Sequence, residues 1–154
     1  LNTVSIHGGQ LFVLPNRFGI VFNVPENRVV IQDDTILGCH NLCFINNYIL
    51  INDSHGKKIK IYSGDGDLIK DIELLKYLPI RKIYNSAHSS SLMKKLFVRG
   101  LAAVDNSRIL VGFSPASIAE FDIESGELLD LYSYSDNVAV CIHGLCVDKN
   151  VTDQ

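Results

Sequence analysis

His40-Asn-Leu-Cys-Phe-Ile45, Tyr48-Ile-Leu-Ile51, Lys58-Ile-Lys-Ile-Tyr62 and Leu68-Ile-Lys-Asp-Ile-Glu-Leu74 are four apolar-rich runs separated by three short turns. The same order recurs in Arg99-Gly-Leu-Ala-Ala-Val104, Arg108-Ile-Leu-Val111, Ile118-Ala-Glu-Phe-Asp-Ile123 and Leu128-Leu-Asp-Leu-Tyr132. Runs this short, rich in Val, Ile, Phe and Tyr and bounded by Gly, Asn, Asp or Ser, read as β-strands. The intervening Asn46-Asn47, Ser63-Gly-Asp-Gly-Asp67, Asp105-Asn-Ser107 and Glu124-Ser-Gly126 supply residues that reach positive φ at little cost, as tight hairpins require.

Working outward, a preceding unit is legible in Asn2–Ile6, Leu11–Leu14, Ile20–Val24 and Val29–Ile31, and His143-Gly-Leu-Cys-Val147 repeats an opening strand. Arg99 and His143 lie 44 residues apart, and four-stranded repeats at about 40–50 residues are the signature of β-propeller blades. The expected fold is therefore all-β. It has blades at about 2–35, 40–76 and 97–135, one strand of a fourth at 139–148, and a non-repeat insertion at 77–96. Three blades and a strand do not close a ring, and an open end leaves an unpaired edge and an apolar face. The expectation is one segment of a six- or seven-bladed ring, with the missing blades supplied by more of the chain or by a homo-oligomer.

Ile49-Leu-Ile-Asn-Asp-Ser-His-Gly-Lys-Lys-Ile-Lys-Ile-Tyr62, followed by Gly64-Asp-Gly66, resembles the NHL repeat. Asp53, Gly56, Lys58, Ile59 and Gly66 stand where that repeat has its Asp, small, basic, Ile and turn-Gly positions. The unit beginning at Arg108 departs from it, with Gly112-Phe-Ser-Pro115 in place of the Asp-centred turn. The resemblance implies six-bladed propellers that bind proteins or RNA, some members being enzymes that hold a metal on the central axis.

Composition excludes some classes. The chain has 154 residues, 47% hydrophobic and 20% charged, with a net charge of −3. That is the range of globular domains, and acidic and basic residues are mixed, which argues against an electrostatic nucleic-acid binder. No apolar run approaches the roughly 20 residues that span a bilayer, so a membrane partner is not expected. The chain opens at Leu1 without a charged-then-apolar leader, which reads as a fragment or a processed product and leaves the compartment open.

His40, Arg99 and His143 hold one register in successive opening strands. Opening strands line a propeller's channel, so these side chains are expected as a ring around the axis. Two imidazoles there can bind a divalent metal, His40 and His143 being its ligands, although two histidines need a third donor that the first unit offers only as Leu1 or Asn2. The arginine favours a carboxylate, phosphate or sulfate. The competing structural reading is that the three plug the channel and bond to backbone. Cys43, Ala102 and Cys146 fall on the opposite face and read as small packing residues rather than zinc ligands.

The insertion carries Arg81, Lys82, Lys94 and Lys95 and reads as either a binding loop or a solvated one, the solvated reading favoured, with Lys94 and Lys95 the residues available to an acidic partner. Ser91-Leu-Met-Lys94 matches a nucleophile pattern without its companion motifs. Asp33-Asp34 and Asp65-Gly-Asp67 read as turns, being short of the oxygens calcium needs. Asn52-Asp-Ser54 and Asn150-Val-Thr152 fit the glycosylation pattern. The functional expectation is a binding module recognising a protein or small anionic ligand. The alternative is a metal-assisted lyase or hydrolase using the axial His/Arg ring.

Overall fold

The computed structural model describes residues 3–15, 17–36, 38–87 and 96–148. These form three four-stranded antiparallel sheets, each a simple up-and-down meander. The first blade is β1 (Thr3–His7), β2 (Gln10–Leu14), β3 (Ile20–Asn23) and β4 (Arg28–Gln32). The second is β5 (His40–Ile45), β6 (Tyr48–Asp53), β7 (Lys58–Ser63) and β8 (Leu68–Glu73). The third is β9 (Val98–Ala103), β10 (Arg108–Phe113), β11 (Ser117–Asp122) and β12 (Leu128–Ser133). The opening strands β1, β5 and β9 pack side by side, which is the arrangement of blades around an axis.

Alternation along the strands sends one set of side chains into each seam between sheets. Between blades 1 and 2, Phe12, Leu14, Val21, Ile31, Leu42, Ile49 and Ile51 form one buried cluster. Between blades 2 and 3, Leu50, Ile59, Ile61, Leu101, Val111, Phe113 and Phe121 form another. Phe113 and Phe121 are wholly buried, each contributing roughly 2–3 kcal/mol by removal from water.

The first seam also buries charge. Lys60, on β7, is 2% exposed and reaches Asp33, just past β4, at 3.1 Å. The Tyr62 hydroxyl donates to the same Asp33 oxygen at 2.7 Å, and Lys58 pairs with Asp71 at 2.5 Å. Asp33 is thus a blade-to-blade tie as well as a turn residue. Burial raises its pKa, but hydrogen bonds from Thr35, Tyr62 and Lys60 outweigh that and hold the carboxyl well below the usual carboxylate range.

Two expectations change. The insertion is not all loop: a 3-10 turn at Leu74–Lys76 leads into helix α1 (Leu78–Ser86). Pro79 sits in its first turn, where a missing N–H costs nothing. Ile80 is buried against the blade 2/3 cluster, with Tyr84 packed on it. The run 139–148, expected as a fourth opening strand, forms no strand ladder. A blade's first strand ladders with its second, and no second strand follows among the described residues. The run instead lies against blade 3, with Ile142 over Gly112 and Leu145 over Gly100. A Cβ on Gly112 would stand 2.5 Å from Ile142 Cγ2, and one on Gly100 would stand 2.9 Å from Leu145 Cγ. The two glycines face each other in the β9–β10 ladder, so together they clear the surface on which this run rests.

Candidate functional site

His40, Arg99 and His143 converge. With Thr3 and Asn41 they line an open cleft of about 170 Å³ beside the opening strands. Arg99 Nη1 lies 2.9 Å from His143 Nδ1. The Arg99 guanidinium sits over the Phe97 ring, 4.4 Å from its centroid, and His40 meets the same ring edge-on at 5.5 Å. Phe97 is thus a shared platform, with the cation on its electron-rich face. His40 and Arg99 are half-buried and His143 is exposed.

The backbone that presents these groups is irregular. In β5, His40 pairs with Asn52 and Leu42 with Ile51, leaving Asn41 as an extra residue at φ 56°. Asn tolerates that left-handed conformation better than most residues. The Asn41 amide donates to Thr3 Oγ1 at 3.0 Å, tying the first blade to the second. In β9 the extra residue is Arg99 itself, between Gly100 and Val98 in the ladder with β10. His40 and Arg99 are therefore equivalent in the repeat but not in the ladder, and bulges of this kind re-aim side chains.

Side chains from β6 and the turn after it hold Arg99's backbone on both sides. Asn52 Nδ2 donates to the Gly100 carbonyl at 2.9 Å, and Ser54 Oγ donates to the Val98 carbonyl. Phe97 is fixed in turn by its amide donating to Ser114 Oγ at 3.0 Å. Among the described residues, Arg99 Nε and Asn52 Oδ1 are buried without a hydrogen-bond partner.

The electrostatics are one-sided. Among the described residues no carboxylate lines the cleft. His40's pKa is lowered, first by burial and then by the Arg99 and His143 charges. A histidine depressed in the fold favours folding above its unfolded value of about 6.5 and loses that contribution as pH falls. A cleft holding one fixed cation and two imidazoles with no counter-charge is suited to an anion.

Thr3 is the first blade's contribution, where the sequence offered only Leu1 or Asn2, both outside the described residues. Asn41, Phe97, Asn52 and Ser54 were also missed. Asn41's position beside His40 was the only available signal. Among the described residues no group of three or more His, Cys, Asp or Glu is placed to hold a metal.

The remaining candidates stand elsewhere. Arg81 and Lys82 are exposed on α1 and do not line the cleft; Lys94, Lys95 and the Ser91–Lys94 pattern lie outside the described residues. Cys43 packs on the blade 2/3 core and Ala102 is buried, while Cys146 is exposed. Burial pushes the Cys39 and Cys141 thiols up, keeping them from the thiolate form that metals bind. Asn52 is fully buried, which overturns its reading as a glycosylation acceptor; Asn150 lies outside the described residues. Asp53 Oδ1 accepts from the Gly56 amide at 2.8 Å, so that pair of the NHL-like pattern builds a turn.

No protein-family model matches the chain, and no curated protein does. Solved structures do. The chain is similar to the WD40 β-propeller domain of Doa1 (TM-score 0.60, 18% identity), covering 88% of this chain and 40% of that one. It is similar to the computationally designed Ika8 protein (TM-score 0.63, 13% identity, 97% and 40% covered). It is also similar to virginiamycin B lyase from Staphylococcus aureus (TM-score 0.54, 13% identity, 85% and 40% covered). The fold is a β-propeller segment of about three blades. The chain spans two fifths of the length of each of these three neighbours. Identities this low speak for the fold alone and do not confirm the NHL resemblance of the second blade. No helix among the described residues is long and apolar enough to cross a membrane.

Proposed function

We propose that this chain is part of a propeller-type binding module whose cleft beside the opening strands holds a small anionic ligand at His40, Arg99 and His143. The observation that carries the reading is the Arg99 guanidinium, backed by Phe97 and bonded to His143, in a cleft that no carboxylate among the described residues lines. A half-buried guanidinium with an unmatched donor gains more from an anion than an exposed one, because its surroundings screen the charge less.

A divalent metal is the less favoured occupant of His40 and His143. Arg99 already takes His143 Nδ1, and its fixed charge would oppose a second cation beside it. The metal-assisted lyase or hydrolase reading rests on that metal and has no separate observation behind it. Protein recognition through the exposed blade surfaces is compatible with anion binding, the exposed Arg81 and Lys82 on α1 being the basic surface available to an acidic partner.

Calorimetric titration with sulfate tests the reading. The wild-type chain is expected to bind it, and Arg99→Met is expected to weaken binding by about 10- to 100-fold, the worth of a charge-assisted hydrogen bond. Equal binding by the wild type and Arg99→Met would remove the cleft from consideration.

A further inference from the structure

The bond between Arg99 and His143 has a direction. A guanidinium carries only donors, so Arg99 Nη1 donates and His143 Nδ1 accepts. In this arrangement Nδ1 holds a lone pair and no proton, and one of Arg99's donors is spent on a neutral neighbour rather than on a ligand. A proton on Nδ1 would replace the lone pair with an N–H and set two cations at hydrogen-bond distance, and the contact would have to open.

The surroundings do not offset that second charge. The cleft's other lining groups are Thr3, Asn41 and His40, the first two neutral and the third able only to add positive charge. The Cys141 thiol, which feels Arg99, is held protonated and neutral by burial. The charges acting on His40 are those of Arg99 and His143. An anion is the counter-charge the cleft itself lacks.

We infer that His143 is a proton-operated latch on Arg99: the cleft takes up an oxyanion together with a proton, and releases both together. This rests on the reading of the cleft as an anion site. The proton comes from solvent to His143 Nδ1, the Nη1–H···Nδ1 bond breaks, and Nη1–H turns to an oxygen of the anion, with no covalent change beyond the new N–H. Linkage makes the effect reciprocal: the proton tightens the anion, and the anion raises the basicity of the imidazole.

Sulfate is a suitable probe, because its charge does not change across the histidine range. Its affinity would be measured by calorimetry at about pH 8 and about pH 5.5, on either side of the ordinary histidine pKa, in buffers of different ionisation enthalpy. The wild type is expected to bind about tenfold or more tightly at the lower pH, with net proton uptake seen in the buffer dependence of the heat. His143→Ala removes the latch and frees Arg99 at both pH values. That variant is expected to lose much of the slope, leaving only His40's share. Nitrogen NMR of the wild-type imidazole gives a readout that needs no variant: adding sulfate near neutral pH should convert His143 Nδ1 from acceptor to N–H. A wild-type affinity equal within about twofold at the two pH values, in a protein whose binding is lost in Arg99→Met, would overturn the latch and leave the anion site standing. A slope unchanged by His143→Ala, or an Nδ1 that sulfate does not protonate, would also overturn it. Absence of sulfate binding at both pH values would overturn the anion-site reading itself.

Discussion

The seam between blades 1 and 2 and the seam between blades 2 and 3 use the same strand positions and are closed by different chemistry. The first sets Lys60, Asp33 and Tyr62 into an ionised network beside its apolar cluster. The second has an apolar core, and among the described residues its buried polar ties are neutral: Asn52 and Ser54 donating to the carbonyls of β9. A buried ion pair gains little net stability over a well-packed apolar pair, because desolvation offsets its attraction, but it is costly to half-remove. The first seam is therefore strict about partners and sensitive to pH, and the second is strict about volume.

The largest effect is expected where volume rules. Phe121→Ala in the second seam should lower unfolding free energy by about 4 kcal/mol, read from urea denaturation. Lys60→Met in the first seam keeps the volume and strands Asp33; about 3 kcal/mol is expected. If Lys60→Met proved neutral, the two seams would not differ in kind. A third experiment uses acid. Asp33 is depressed in the fold, so its contribution is complete above its unfolded value of about 3.9 and is lost as pH falls below that. Asp33→Asn should lower stability at neutral pH and flatten its decline between about pH 4 and pH 2. An unchanged acid profile in Asp33→Asn would place the sensitivity elsewhere. The smallest effect belongs to Ser54→Ala, about 1 kcal/mol for one neutral hydrogen bond to the Val98 carbonyl. Its sharper readout is sulfate affinity, since the lost bond lies next to Arg99.

The blades were legible because strand periodicity and turn residues are local signals. The sequence runs Tyr48–Ile51 and Arg108–Val111 fall within β6 and β10. The convergence of His40 and Arg99 was legible through the repeat, which transfers position from one blade to the next, whereas His143 reaches the same cleft from a run that forms no strand. What was not legible depended on the ladder. The extra residue is Asn41 in one opening strand and Arg99 in another, and a one-residue shift of that kind leaves no mark in composition. Asp33 comes from the first blade and Lys60 and Tyr62 from β7 of the second, and no sequence spacing links the carboxylate to the other two. Helix α1 did leave a mark: Ile80, Ile83, Tyr84 and Ala87 stand at helical intervals. The surrounding serines and lysines gave the segment the look of a loop.

Gly100 and Gly112 carry a consequence for how this site tolerates change. Neither is among the residues lining the cleft, yet Leu145 and Ile142 rest against them and His143 lies between those two in sequence. The pair works as a gauge block: the gap left by two missing methyl groups sets how far His143 stands from Arg99. Alanine at either position would alter that spacing without touching a single recognition group, so sequence drift at these two places would retune the cleft while every residue that lines it stayed the same.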